Sequence, residues 1–551
     1  MGRRRSALAF LLVLGLACGR ETRVEAPAAP AVVDDTPQDG GTLYRRLDID
    51  VTTLNPVCFA TKYDRYPTQY LFTPLVYLDQ SLRPIPGLAK SWDVSDDGTL
   101  YTFKLNEKAT FSDGTPVRAS DVLFTLTKIL DPASEAVQIA SSFEHLDLTR
   151  TRVVDEHTIT VAFRQPLAMQ LVRFSDVNVL PEHVYSKKDF RNGFNDSAVG
   201  SGPYRLVRRV PGKEIVLERR PDYWGERPHI QTVVLKVIND HNTAWNAVRI
   251  GEIDETIVAS DTWYRERNNP SLTKILDFPR FYTLNYNYIA WNHRDPLLRD
   301  KRVRRALAMC VPMDAIIQDI YHGTARAMIG PFTPDEFAYN PAVQPIRYDP
   351  EGARRELESL GWRDSDGDGV LDRDGKPLSL SMIMMSGSAT TRQFGQAMQD
   401  EMKRVGIGLQ IDMLEGAMAI QRIIAGNYQA AYLAWELDPD PDPSALFHST
   451  QTPPRGQNFI FYANPEVDRL IDQARHEMDF SKRKELYWQL HQLLADEQPY
   501  TWTVQVSSKW AINKRVRGVA ISRAYGLYLW YPGELGWWIA KDAQPPAGKR
   551  P

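Results

Sequence analysis

One stretch constrains this chain more than any other. Residues 199–206 read Val-Gly-Ser-Gly-Pro-Tyr-Arg-Leu and open an alternating strand; Arg-Pro-Asp-Tyr-Trp-Gly follows at 220–225. No simple catalytic motif has this form. Alternating runs recur: residues 92–95 and 100–105 flank Asp96-Asp97-Gly98-Thr99, a turn sequence that predicts a hairpin. Phe111-Ser112-Asp113-Gly114-Thr115-Pro116 leads into a helix over 119–129, and Ile159, Val161 and Phe163 alternate after Asp155-Glu156. Later in the chain the period changes. Asn464-Pro465-Glu466 supplies a cap, a first-position proline and an acidic first turn, and Val467, Leu470, Ile471, Ala474 and Met478 follow at helical spacing. Phe394, Ala397, Met398, Met402 and Val405 form a second stripe, ended by Gly406. Such stripes are core rather than cofactor boxes. Mixed strands and helices without a fixed-period repeat give an α/β class and exclude solenoids and propellers.

At 551 residues the chain exceeds one hydrophobic core, so a cleft between lobes is feasible. A hydrophobic share of 43% and a charged share of 25% are those of a globular protein. The net charge of −3 argues against a nucleic-acid partner, which selects for a basic stripe. At the N-terminus Arg3, Arg4 and Arg5 precede an apolar run over 7–16 and then Ala17-Cys18. That run is well short of the ~20 residues of a membrane span, so residues 1–17 read as a signal peptide. Cys18 stands where a lipoprotein cysteine stands, although Gly15 occupies a place that is usually apolar; plain cleavage with a free N-terminus is the alternative. Residues 18–39, rich in Pro, Ala and acidic residues from 22 onward, suit a flexible tether. The expectation is an exported protein, periplasmic or at the cell surface, that meets the membrane only through a lipid anchor. Cys58 and Cys310 are expected to be buried free thiols, with a disulfide as the alternative.

The 199–225 stretch resembles the signature of the peptide and nickel group of extracellular solute-binding proteins, family 5, in which "G-(S/T)-G-P-Y" opens a strand and "N-x-D-Y-W-G" follows. Pro86-Gly87-Leu88-Ala89-Lys90-Ser91-Trp92, the Asp97-Gly98 turn, Phe111-Ser112-Asp113-Gly114 and Ala119-Ser120-Asp121-Val122 occur in that family's order and spacing. Gly251-Glu252-Ile253-Asp254 and Val303-Arg304-Arg305-Ala306-Leu307 continue the resemblance, which covers about residues 40 to 510. It implies a two-lobed, periplasmic-binding-protein-like α/β fold with an extra subdomain and a hinge. Lobe one is then 40–70, 203–288 and 500–540, the extra subdomain 71–202 and lobe two 289–499.

The strongest ligand-site candidate is Trp435-Glu436-Leu437-Asp438-Pro439-Asp440-Pro441-Asp442-Pro443, where prolines stiffen a loop and hold its carboxylates in fixed directions. In peptide-binding relatives a tryptophan is followed three residues later by an aspartate that takes the ligand's α-ammonium. Asp438 matches that offset, and the register stays open between Asp438 and Asp440; an acidic surface turn is the bland alternative. Ser386 and Gly387, in the turn after a strand over 378–383, and Thr52 and Thr53 could supply backbone contacts to an extended peptide, or could be ordinary loops. Asp364, Asp366, Asp368, Val370 and Asp372, with Gly369 at the sixth place, follow the calcium-loop pattern. Gly375 replaces the twelfth-position Glu, so the choice is between a weak structural calcium site and a metal-free acidic hairpin.

No nucleophile elbow, zinc-protease, P-loop or Cys-x-x-Cys motif is present, and no cofactor is required. The resemblance implies a monomeric, non-enzymatic receptor that captures short peptides and delivers them to the permease and ATPase of an ABC importer. A nickel complex, an opine or an oligosaccharide is the alternative cargo. A sensor lobe and a secreted peptide hydrolase are the rivals from other classes.

Overall fold

The alternating runs pair into three principal sheets. A computed structural model describes residues 36–540 except 60, 188, 455, 524 and 525; the signal peptide, Cys18 and most of the tether lie outside the described residues. The first sheet has eight strands. Thr42–Leu47 lies at its centre, parallel to Thr232–Val237 and to Glu255–Ile257. Ser508–Asn513 joins it antiparallel to Glu255–Ile257. The second sheet orders Gly408–Leu414, Ser379–Met385, Ala430–Glu436, Asn285–Trp291 and Tyr500–Trp502. A third, antiparallel sheet of four strands contains the expected hairpin, Ala89–Val94 against Leu100–Leu105, with Val94 opposite Tyr101.

Burial follows the periodicities. Phe394, Met398, Met402 and Val405 are buried on the helix Ala389–Val405, which Gly406 ends in a left-handed conformation (φ 93°). The Asn464 side chain accepts from the Glu466 and Val467 amides, and Val467, Leu470, Ile471 and Ala474 face inward. Met478 departs from the expected stripe: the helix closes at His476, and Met478 is 43% exposed. Cys58 and Cys310 are buried and free, and burial pushes both thiols up to about 12.

A single core runs from Leu43 through the third sheet to Ile539, uniting the region 71–202 with the first sheet. Two further cores pack on the second sheet. The protein therefore has two bodies with separate interiors, and the chain crosses between them at two adjacent places. One crossing runs from Arg280–Phe281, paired in the first sheet, to Asn285–Trp291 in the second. The other runs from Val504–Val506 to Ser508–Asn513. The Gln505 side chain donates to the Thr283 carbonyl at 2.7 Å, tying the crossings together.

The 199–225 stretch is a joint. A Cβ on Gly200 would lie 2.1 Å from the Leu71 carbonyl oxygen, and one on Gly202 2.3 Å from that of Tyr70. Only hydrogen fits. The Gly202 amide donates to Leu71 and the Ser112 amide to Gly200. Arg220, fully buried, donates to the Thr110 carbonyl at 3.1 Å and to that of Phe111 at 3.0 Å. Trp224 Nε1 donates to the Ser201 carbonyl. The motif thus locks the third sheet's region onto the first sheet. Gly202→Ala is expected to lower stability by about 3 kcal/mol, because backbone rather than a flexible side chain has to move; the midpoint of denaturant unfolding reads it.

Candidate functional site

The strand Ala430–Glu436 lies inside the second sheet, flanked by Ser379–Met385 and Asn285–Trp291, and delivers the acidic loop at its end. The Leu437 amide donates to the Leu284 carbonyl at 2.8 Å, so the loop leaves the sheet beside the first crossing. Within the loop Asp440 accepts from the Asp442 amide and Asp442 from the Ser444 amide, turns that fix the carboxylates together with the prolines. Trp435 lies in an aromatic stack, 6.1 Å from Tyr288 and 5.6 Å from Phe459 between centroids.

The loop faces the first body across a cavity of about 190 Å³, lined by Val172, Arg173, Asp176, Asp438, Asp440 and Arg475 among others. Arg173 Nη2 lies 2.9 Å from Asp440 and 3.3 Å from Asp442. Arg475 Nε lies 2.9 Å from Asp442, and Arg65 pairs with Asp176. Asp438 differs from its neighbours. It is exposed to solvent, and no described residue hydrogen-bonds to it. Desolvation and the nearby Asp176 and Asp440 hold its carboxyl above the usual aspartate range, against the opposing pull of Arg65 and Arg173. Arg173 and Arg475 pair with Asp440 and Asp442, and Arg65 with Asp176; Asp438 has no ion-pair partner among the described residues, and with Glu144 it gives the lining an excess of carboxylates. The arrangement can accept a cationic group as a charge-assisted hydrogen-bond donor.

The other expected residues divide. Asp440 already belongs to an ion pair between the bodies. Thr53 is 0% exposed and its hydroxyl donates to the Arg191 carbonyl at 2.6 Å, so its side chain anchors the loop. Thr52 is exposed, but its amide and hydroxyl both go to Asp64. Ser386 and Gly387 are exposed at the end of their strand, with the Ser386 amide donating to Leu414. Carboxylate oxygens of Asp364, Asp366 and Asp368 lie within 4.8 Å of one another, whereas Asp372 accepts from the Ser365 amide and hydroxyl. Val370 donates its amide to Asp368. Sequence reasoning missed Arg65, Arg173, Asp176 and Arg475. No local pattern marks them, because they join the site only through folding.

Residues 83–458 match the family described as bacterial extracellular solute-binding proteins, family 5 Middle. The chain belongs to that family. Oligopeptide-binding protein AppA of Bacillus subtilis is 27% identical over 557 residues, covering 98% of this chain and 100% of that protein. The structure of AppA in complex with a nonapeptide matches with a TM-score of 0.76 at 26% identity, over 92% of this chain and 100% of that one. NikZ of Campylobacter jejuni, in complex with Ni(L-His), matches with a TM-score of 0.77 at 22% identity, over 90% and 99% of the respective chains. The fold is the two-lobed periplasmic-binding-protein-like α/β fold, and the resemblance read from the motifs holds. In the family's terms the two bodies are its lobes. Among the described residues no helix is long and apolar enough to cross a membrane.

Proposed function

We propose that the protein captures short peptides in the interlobe cleft through their α-ammonium group and hands them, unaltered, to the permease and ATPase of an ABC importer. The observation that carries this reading is the Asp438 carboxylate, solvent-accessible and without a hydrogen-bond donor in a cleft whose arginines are already paired. A peptide ammonium supplies the missing donor, and its backbone can be held as an added strand while side chains keep wet space. Asp438 is favoured over Asp440 because Arg173 already occupies the latter. Ligand that touches both lobes favours their closure about the paired crossings. Lipid attachment at Cys18, with residues 18–39 as a tether, keeps the loaded receptor near the membrane. Native mass spectrometry of protein purified without refolding tests the cargo. Intact short peptides are expected to co-purify and to stay intact on incubation; a nickel complex, opine or sugar in their place, or cleaved products, contradicts the reading.

We also propose that Asp364, Asp366 and Asp368 hold a weak structural calcium ion, since their oxygens already converge. Calcium at about ten times its Kd contributes about 1.4 kcal/mol and raises the thermal midpoint by about 1–2 °C. Asp366→Asn is expected to abolish that shift. An unmoved midpoint in the parent protein leaves a metal-free hairpin.

A further inference from the structure

A second cavity lies wholly within the second lobe, remote in sequence from the acidic loop. It holds about 620 Å³ and is lined by residues drawn from 308–315, 327–329, 344–348 and 495–502. That volume falls in the range of small-molecule sites. Val311 and Met328 form buried apolar walls, and Trp502 is buried with its Nε1 lacking an acceptor among the described residues. It lies against Tyr500–Trp502, the edge strand of the five-stranded sheet.

Of the uncharged polar side chains in the lining, Gln344 and Tyr348 are exposed, and Gln498 and Thr501 are buried. Gln498 is 6% exposed; its Nε2 donates to the Ala495 carbonyl at 2.7 Å, while its Oε1 receives no donor from a described residue. Thr501 is 3% exposed; its Oγ1 accepts from Trp291 Nε1 at 3.0 Å, and its own proton finds no acceptor among the described residues. One unused acceptor and one unused donor thus border the same apolar space. An amide can meet both, its N–H at Gln498 Oε1 and its C=O at the Thr501 hydroxyl. Lining charges are confined to the exposed rim, at Asp314 and Arg347, so a charged ligand would lose hydration at depth without gaining a partner.

We propose that this cavity is a second binding site, which takes a neutral carboxamide carrying an apolar body. Because every lining residue belongs to one lobe, occupancy does not require closure. N-benzylbenzamide is the probe and the anionic hippurate its control, each titrated calorimetrically into the full-length protein. Saturable one-to-one binding with a Kd below about 1 mM is expected, with hippurate at least tenfold weaker. Gln498→Met, close in shape but without the acceptor, is expected to weaken the amide at least tenfold. Ala327→Trp, on the exposed rim, closes the entrance without testing the core's tolerance and is expected to abolish binding. Absence of saturable heat, equal affinity for hippurate, or unchanged binding in both variants overturns the proposal.

Discussion

Asp254→Ala is expected to lower the unfolding free energy by about 3–5 kcal/mol, the range for breaking a buried ion pair from one side. Asp254 closes the Gly-Glu-Ile-Asp motif and is 0% exposed. Arg515 Nε donates to its Oδ1 at 2.6 Å, Arg515 Nη2 pairs with its Oδ2, and the Tyr44 amide donates to Oδ2 at 2.8 Å. Arg515 also donates to the Thr42 carbonyl at 2.7 Å. Three remote segments of the first lobe meet at this carboxylate. Its removal leaves a guanidinium and an amide buried without their acceptor, and alanine offers no substitute. Denaturant unfolding measures the effect, and a loss below about 1 kcal/mol contradicts the role assigned to the motif.

Asp438→Asn is expected to act in the opposite sense on the ligand-free protein. The folded environment raises this carboxyl's pKa, through desolvation first and Asp176 second. Above the unfolded-state value of an aspartate, folding therefore works against the ionised form, and the neutral amide removes that penalty. The thermal midpoint at neutral pH should rise. Peptide binding should fall, because a charge-assisted hydrogen bond worth about 1.5–3 kcal/mol is lost, a factor of roughly ten to one hundred and fifty. Acid should weaken binding to the parent protein at a higher pH than an ordinary aspartate would set, since the raised pKa brings protonation earlier. A purely structural aspartate would show lower stability and no change in affinity.

Much of this architecture is legible in residue order, for identifiable reasons. Periodicity marked Phe394, Met398 and Met402, and capping chemistry marked Asn464, because both are local properties of a helix. The motif at 199–225 is visible as a pattern, but its cause is the approach of Gly200 and Gly202 to the Leu71 and Tyr70 carbonyls, which no local rule contains. Proline spacing exposes the acidic loop, yet the division of labour between Asp438 and Asp440 depends on Arg173, 267 residues away from Asp440. The anchoring of Thr53 is equally invisible in residue order. Its hydroxyl is claimed by Arg191, whose position beside the 52–55 loop is a tertiary fact. Likewise, the region 71–202 reads as separate in the chain, while its apolar residues share one interior with the first sheet.

The most direct measurement is a calorimetric cycle in which a short peptide and its N-acetylated counterpart are each titrated into the parent protein and Asp438→Asn. Acetylation is expected to weaken binding to the parent at least tenfold and the difference to largely disappear in the variant, so that the coupling lies between the ammonium and Asp438. Equal affinity of the parent for the two peptides, or an acetylation penalty of the same size in both proteins, would contradict it.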